Sequence, residues 1–194
     1  MYIPQHNAFF IHIPKTGGNS VEFYFLQQMN IKVNDANSIK IFNDHPELII
    51  GRKNATKQTA HYTAKELQDI KEYVDSTYKF SMVRHPVDRF ISECKWNHTG
   101  IDILCTQLKE GTNDRLLSSW DYLSVNDQLA VDRVFKLEQI ETMNRELSSQ
   151  FGIDFVLPHY NKSKDKSIKL TTKQLDLVAN VWQKDFEEFD YEIN

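Results

Sequence analysis

Short apolar runs alternate with longer mixed stretches along this chain. Ala8 to Ile13 (AFFIHI) is apolar but for His12 and is closed by Pro14, which reads as a buried strand. A tight turn, Lys15-Thr16-Gly17-Gly18, leads into a helix over Ser20 to Met29, and Asn19 or Ser20 is placed to cap it. Asn30 to Asn54 is polar and without clear period, so it reads as loop with short elements. Thr63 to Tyr73 reads as a second helix, and Thr63 and Glu66 stand at the capping-box spacing. Tyr78 to Val83 (YKFSMV) is a second buried strand, stopped by Arg84-His85-Pro86. Pro86 suits the first turn of a helix that continues from Val87 to Trp96. Asn97 to Ser119 is mixed and in part helical. Val134 to Leu137 reads as a third strand, followed by a helix over Glu138 to Gln150. A basic loop, Asn161 to Lys169, precedes a final amphipathic helix over Thr171 to Trp182.

Short apolar strands alternating with helices predict a parallel sheet covered on both faces, an α/β/α arrangement in three layers. No repeat, low-complexity tract or composition break divides the chain, so residues 1–194 read as a single domain. Ligands of such sheets sit beyond the carboxyl ends of the strands. Both the Lys15 turn and the Arg84 turn fall at such ends.

Composition narrows the partners. The formal net charge of -4 argues against a protein devoted to duplex nucleic acid, but a local basic site for a small anion is compatible with it. The two cysteines, Cys94 and Cys105, match no zinc or redox spacing, and the histidines show no metal-ligand spacing. No apolar run approaches the ~20 residues of a membrane helix. A cytoplasmic enzyme is expected, with a lumenal catalytic segment of an anchored enzyme as the alternative.

The strand-turn-helix passage FFIHIPKTGGNS carries the first chemistry. Two glycines let the backbone bend sharply and approach a ligand. The amides of Gly17, Gly18, Asn19 and Ser20 would then face one point before a helix N-terminus, a natural phosphate or sulfate site. Lys15 adds a full charge, and Thr16 and Ser20 add hydroxyls. A nucleoside-triphosphate loop places its lysine after the glycines, whereas Lys15 precedes them, so a different ligand is expected. A plain Gly-Gly turn with a surface lysine is the alternative.

The run His12 to Ser20 resembles the 5'-phosphosulfate loop of sulfotransferases that use 3'-phosphoadenosine-5'-phosphosulfate (PAPS). Its nearest likeness is to the Golgi carbohydrate sulfotransferases and their bacterial relatives. The resemblance implies the P-loop-like sulfotransferase fold, PAPS as donor, no metal, and Lys15 at the 5'-phosphate and the departing bridge oxygen. The passage FSMVRHPVDRFISEC resembles the 3'-phosphate signature of that family, with Arg84 at the strand end and Ser92 eight positions on. Arg84 can grip a phosphate with two parallel bonds. Arg89 is a weaker candidate that could instead pair with an acid such as Asp88, Glu93 or a distant partner. His61, just ahead of the Thr63 helix, matches a family histidine and is a candidate general base for an acceptor hydroxyl. Glu22 and Glu66 are weaker base candidates. Tyr160, Lys162, Ser163 and Lys164 resemble a late loop that closes over the nucleotide, with Tyr160 stacking on a base. The implied activity is sulfuryl transfer to a hydroxylated acceptor, carbohydrate favoured. A P-loop-like kinase and a non-enzymatic binder of sulfated or phosphorylated ligands are the rival readings.

Overall fold

The computed structural model describes residues 1–32, 41, 43–51, 61–158 and 168–193. Its main sheet has four strands, β1 (Tyr2–Ile3), β2 (Ala8–Ile11), β3 (Tyr78–Val83) and β6 (Arg133–Lys136), in the order β1-β2-β3-β6. β1 pairs antiparallel with β2, whereas β2, β3 and β6 run parallel. Ile11 lies beside Ser81, and Val83 beside Lys136, so the three parallel strands end on one edge. Between β3 and β6 a small hairpin joins β4 (Ser124–Val125) to β5 (Gln128–Leu129).

β2 is apolar and buried throughout and β3 is buried from Phe80 on, because helices cover both sides of the sheet there, whereas β6 buries only Phe135. Ala8, Phe10, Phe80, Met82 and Phe135 pack with Val21, Phe25 and Leu26 of α1 (Gly18–Gln28) and with Met143 and Leu147 of α7 (Ile140–Phe151). Phe9, Ile11 and Val83 join a second cluster with Ala64 and Leu67 of α2 (Ala64–Leu67) and Tyr73 of α3 (Lys71–Val74). Trp120, Tyr122 and Leu123 of α6 (Ser119–Leu123) complete it. A third cluster is helical, with Phe90 and Cys94 of α4 (Pro86–Trp96), Leu104 and Leu108 of α5 (Ile101–Glu110), and Val178 of α8 (Thr172–Val181). Trp182, just before α9 (Gln183–Glu188), is part of it. Truncating a fully buried ring such as Phe80 to alanine costs about 3–5 kcal/mol through lost contacts and the cavity left behind.

Most expected elements fall where the pattern puts them, with three differences. The helix expected over Thr63 to Tyr73 is broken: the Thr63–Glu66 capping box is present, but Ile70 turns extended (φ -92, ψ 116) and starts a second short helix. Neither Asn19 nor Ser20 caps α1; the N-cap is Gly17, with no side-chain cap bond. β1 and the β4–β5 hairpin add strands that the apolar pattern did not mark.

Candidate active site

The Lys15 turn leaves the end of β2 under several constraints. Lys15 takes a positive φ of 66°, and Gly17 follows at φ 90°. Thr16 is fully buried, and its Oγ1 donates to the Ile13 carbonyl at 2.9 Å, closing the turn from inside. The Thr16 hydroxyl proton is therefore spent on the backbone. The Ser20 amide likewise donates to the Gly17 carbonyl at 2.9 Å, so the expected set of amides facing a ligand shrinks to its earlier members. Gly18 and Asn19 open α1, ahead of its regular ladder of bonds. Gly18 has a second reason to lack a side chain: a Cβ there would lie 2.1 Å from His12 Cδ2.

Lys15 is half-buried, with Nζ 5.5 Å from the centre of the Trp96 ring. Burial, helped by the charges of Arg115 and Arg84 and opposed by Glu93, lowers its pKa to about 8. Two guanidiniums and one carboxylate thus act on the Lys15 ammonium at the strand edge.

His61 sits between two partners. Nδ1 is 3.1 Å from the His12 carbonyl, and Nε2 is 3.3 Å from Arg115 Nη1. A carbonyl only accepts and a guanidinium only donates, so Nδ1 carries the proton and Nε2 is the acceptor. Burial holds the imidazole well below the ordinary histidine range, and His12 and Arg115 push it the same way. His61 is therefore neutral, the form a general base needs, but its lone pair points at Arg115.

Arg115 was not marked by the sequence. It is buried, and its Nε and Nη2 make a two-point bond to Glu93 Oε1 and Oε2, each at 2.9 Å. Its guanidinium lies 4.1 Å from the centre of the same Trp96 ring that Lys15 approaches. Arg89 proves to be structural. It is 1% exposed, donates from Nε to the Pro14 carbonyl and from Nη2 to the Arg115 carbonyl, both at 3.1 Å, and stands 3.8 Å from Asp185. The distant acid is thus its partner, and it ties the lysine turn to the Arg115 segment. A signal for α4 was available: Arg89 and Glu93 directly precede the core residues Phe90 and Cys94 and share their helical face.

His12 and Glu22 form a further buried pair. His12 Nδ1 is 3.0 Å from Glu22 Oε1, an ion-pair distance without hydrogen-bond alignment, so Oε1 has no hydrogen-bond partner among the described residues. The His12 ring meets His61 edge-on, with centroids 4.6 Å apart. Glu66 is engaged in its capping box and is not turned toward this group.

Arg84 follows β3 directly, and Ser92 stands on α4. Both are half-buried, and among the described residues neither side chain has a hydrogen-bond or ion-pair partner. Tyr160, Lys162, Ser163 and Lys164 lie outside the described residues. A surface cavity of about 360 Å³, lined by Tyr73, Lys79 and Asp132 among others, lies by the start of β3 and touches none of the site residues. Among the described residues no cluster of three or more His, Cys, Asp or Glu could hold a metal ion, and no helix is long and apolar enough to cross a membrane.

No curated protein and no solved structure matches the chain. Residues 1–99, half of the 194-residue chain, match the Sulfotransferase family, a span that contains the Lys15 turn, His61, Arg84 and Ser92. With this match the chain belongs to the PAPS-dependent sulfotransferase family, and it is an enzyme that transfers sulfate.

Proposed function

We propose that this enzyme moves the sulfuryl group of PAPS in line onto a hydroxyl of a carbohydrate or another hydroxylated metabolite. The observation that carries the reading is the meeting of Lys15, neutral His61 and Arg115 at the edge where β2 and β3 end. The whole chain, residues 1–194, would act as one domain of the three-layer, P-loop-like type.

In this reading Lys15 and the first amides of α1 hold the 5'-phosphosulfate, while Arg84 and Ser92 hold the 3'-phosphate. Tyr160, Lys162, Ser163 and Lys164 would cover the nucleotide. PAPS, as the donor substrate, supplies the activated sulfur. His61 Nε2 takes the proton of the acceptor hydroxyl as its oxygen bonds to sulfur. The electron pair of the broken sulfur–oxygen bond stays on the 5'-phosphate oxygen, where Lys15 meets the growing charge. Catalysis then rests on positioning and prearranged charge, as in phosphoryl transfer. Carbohydrate is favoured because the motifs most resemble the carbohydrate branch. Incubation with labelled PAPS, or with labelled ATP, and a panel of sugars, small alcohols and tyrosine peptides tests all of this. Label transfer from ATP alone would overturn the reading.

A further inference from the structure

We propose that Arg115 is a catalytic residue that caps the base until the donor arrives: its Nη1 leaves His61 Nε2 for an oxygen of the sulfuryl group. The inference rests on the roles given above to Lys15 and His61. It starts from a conflict in the geometry. The one lone pair that His61 can offer to an acceptor proton is directed at a guanidinium 3.3 Å away. A base so engaged cannot also accept the proton of an incoming hydroxyl.

The same guanidinium is anchored on the side away from His61. Glu93 holds Nε and Nη2 with two 2.9 Å bonds, and the Trp96 ring supports the plane at 4.1 Å. The Arg89 side chain fixes the Arg115 carbonyl at 3.1 Å. Nη1 is the corner nearest His61, and the cation shares its indole with Lys15. A sulfuryl group held by Lys15 brings anionic oxygens into reach of that corner. An anionic oxygen offers the guanidinium an ion pair as well as a hydrogen bond, whereas the neutral imidazole offers a hydrogen bond alone. Nη1 therefore turns to the sulfuryl oxygen, and His61 Nε2 is released. Donor binding thus creates the base, acceptor binding follows, and Arg115 stabilises the oxygens of the transferring group.

Long-range proton–nitrogen correlation spectra of the full chain, with His61 assigned by His61→Asn, read Nε2 directly. Adenosine 3',5'-bisphosphate, which lacks the sulfuryl group, should leave Nε2 as a bonded acceptor. PAPS should shift it toward an unbonded imine nitrogen. Binding of both nucleotides by calorimetry with the same Nε2 response to each overturns the gate and leaves the donor site standing. Failure of both to bind overturns the donor site and the gate together. In kinetics, Arg115→Lys should lower kcat by about 10²-fold, the scale of one lost prearranged donor, with adenosine 3',5'-bisphosphate affinity unchanged. An unchanged kcat would also overturn the proposal. Should the variant fail to fold, because Glu93 loses its two-point partner, the spectra of the unaltered protein still decide.

Discussion

The Lys15–His61 side of the strand edge and the Arg84–Ser92 side are built on different terms. On the first, side chains are already committed to protein partners: Thr16 to Ile13, His61 to His12 and Arg115, Arg115 to Glu93. On the second, the side chains of Arg84 and Ser92 have no hydrogen-bond or ion-pair partner among the described residues and are half-buried. Groups that act on a developing charge gain most when they are held in place beforehand. A group that only grips a ligand can wait in water and be ordered on binding, at a modest entropic cost. Under the proposed reading, the first side governs rate and the second affinity.

The sharpest break would come from His61→Ala. It should lower kcat by about 10²–10⁴-fold, the usual range for a general base, without changing the affinity for adenosine 3',5'-bisphosphate. An equal loss of nucleotide affinity would put His61 on the binding side. Lys15→Ala should cost about 10²–10³-fold in kcat while circular dichroism shows the fold retained. A variant keeping more than half of the activity would remove Lys15 from the leaving group.

Arg84→Ala tests the other side. The unaltered protein should prefer adenosine 3',5'-bisphosphate over adenosine 5'-monophosphate by on the order of 10²-fold, from two charge-assisted contacts. The variant should lose most of that preference in calorimetry and keep its kcat at saturating donor. Equal affinities in the unaltered protein would remove the 3'-phosphate role altogether.

The pH response is smaller. Lys15 has a pKa lowered to about 8 when no ligand is bound, so its charge is present below that pH and lost above it. The kcat/KM for the donor, which reports the free enzyme, should then fall by up to about tenfold per pH unit above 8. Lys15→Arg, charged throughout, should abolish that alkaline limb. A limb that survives in the variant belongs to another group. Smallest is Thr63→Ala, which removes the α2 capping box and should cost about 1 kcal/mol in denaturant unfolding. Its kcat should hold, because the cap serves the fold; a collapse of kcat would mean that the cap aims His61.

What could be read from the chain depended on how local its cause was. β3 runs over Tyr78–Val83 as read, because its apolar run is closed at once by Arg84-His85-Pro86. The α2–α3 break escaped notice because Leu67, Ile70 and Tyr73 continue a helical spacing straight through the extended Ile70. The β4–β5 hairpin has no apolar run to mark it; Asn126 and Asp127, residue types that tolerate the positive φ both adopt, are its local sign in the sequence. Arg115 had no local cause at all. Its partners lie 22 and 54 positions away, at Glu93 and His61, and only the folded chain brings them together. The Lys15 and Arg84 turns were legible as turns because each closes an apolar strand within a few consecutive residues.

The order of strands also bears on how the polypeptide leaves the ribosome. β3 has a parallel neighbour on each side, β2 made earlier and β6 made later. Once β3 and β2 have emerged they can pair, but the flank that will receive Arg133–Lys136 stays bare for another fifty residues of translation, roughly 3–10 s at ordinary elongation rates. During that interval Phe80, Met82 and the open main chain form a sticky edge of the sort that recruits other strands. A nascent chain halted at residue 99 would carry Lys15, His61, Arg84 and Ser92 and still lack both the strand that closes β3 and the arginine that meets His61. The stretch that identifies the family is therefore not expected to fold alone, and fragments cut there are expected to be captured by chaperones rather than by substrate.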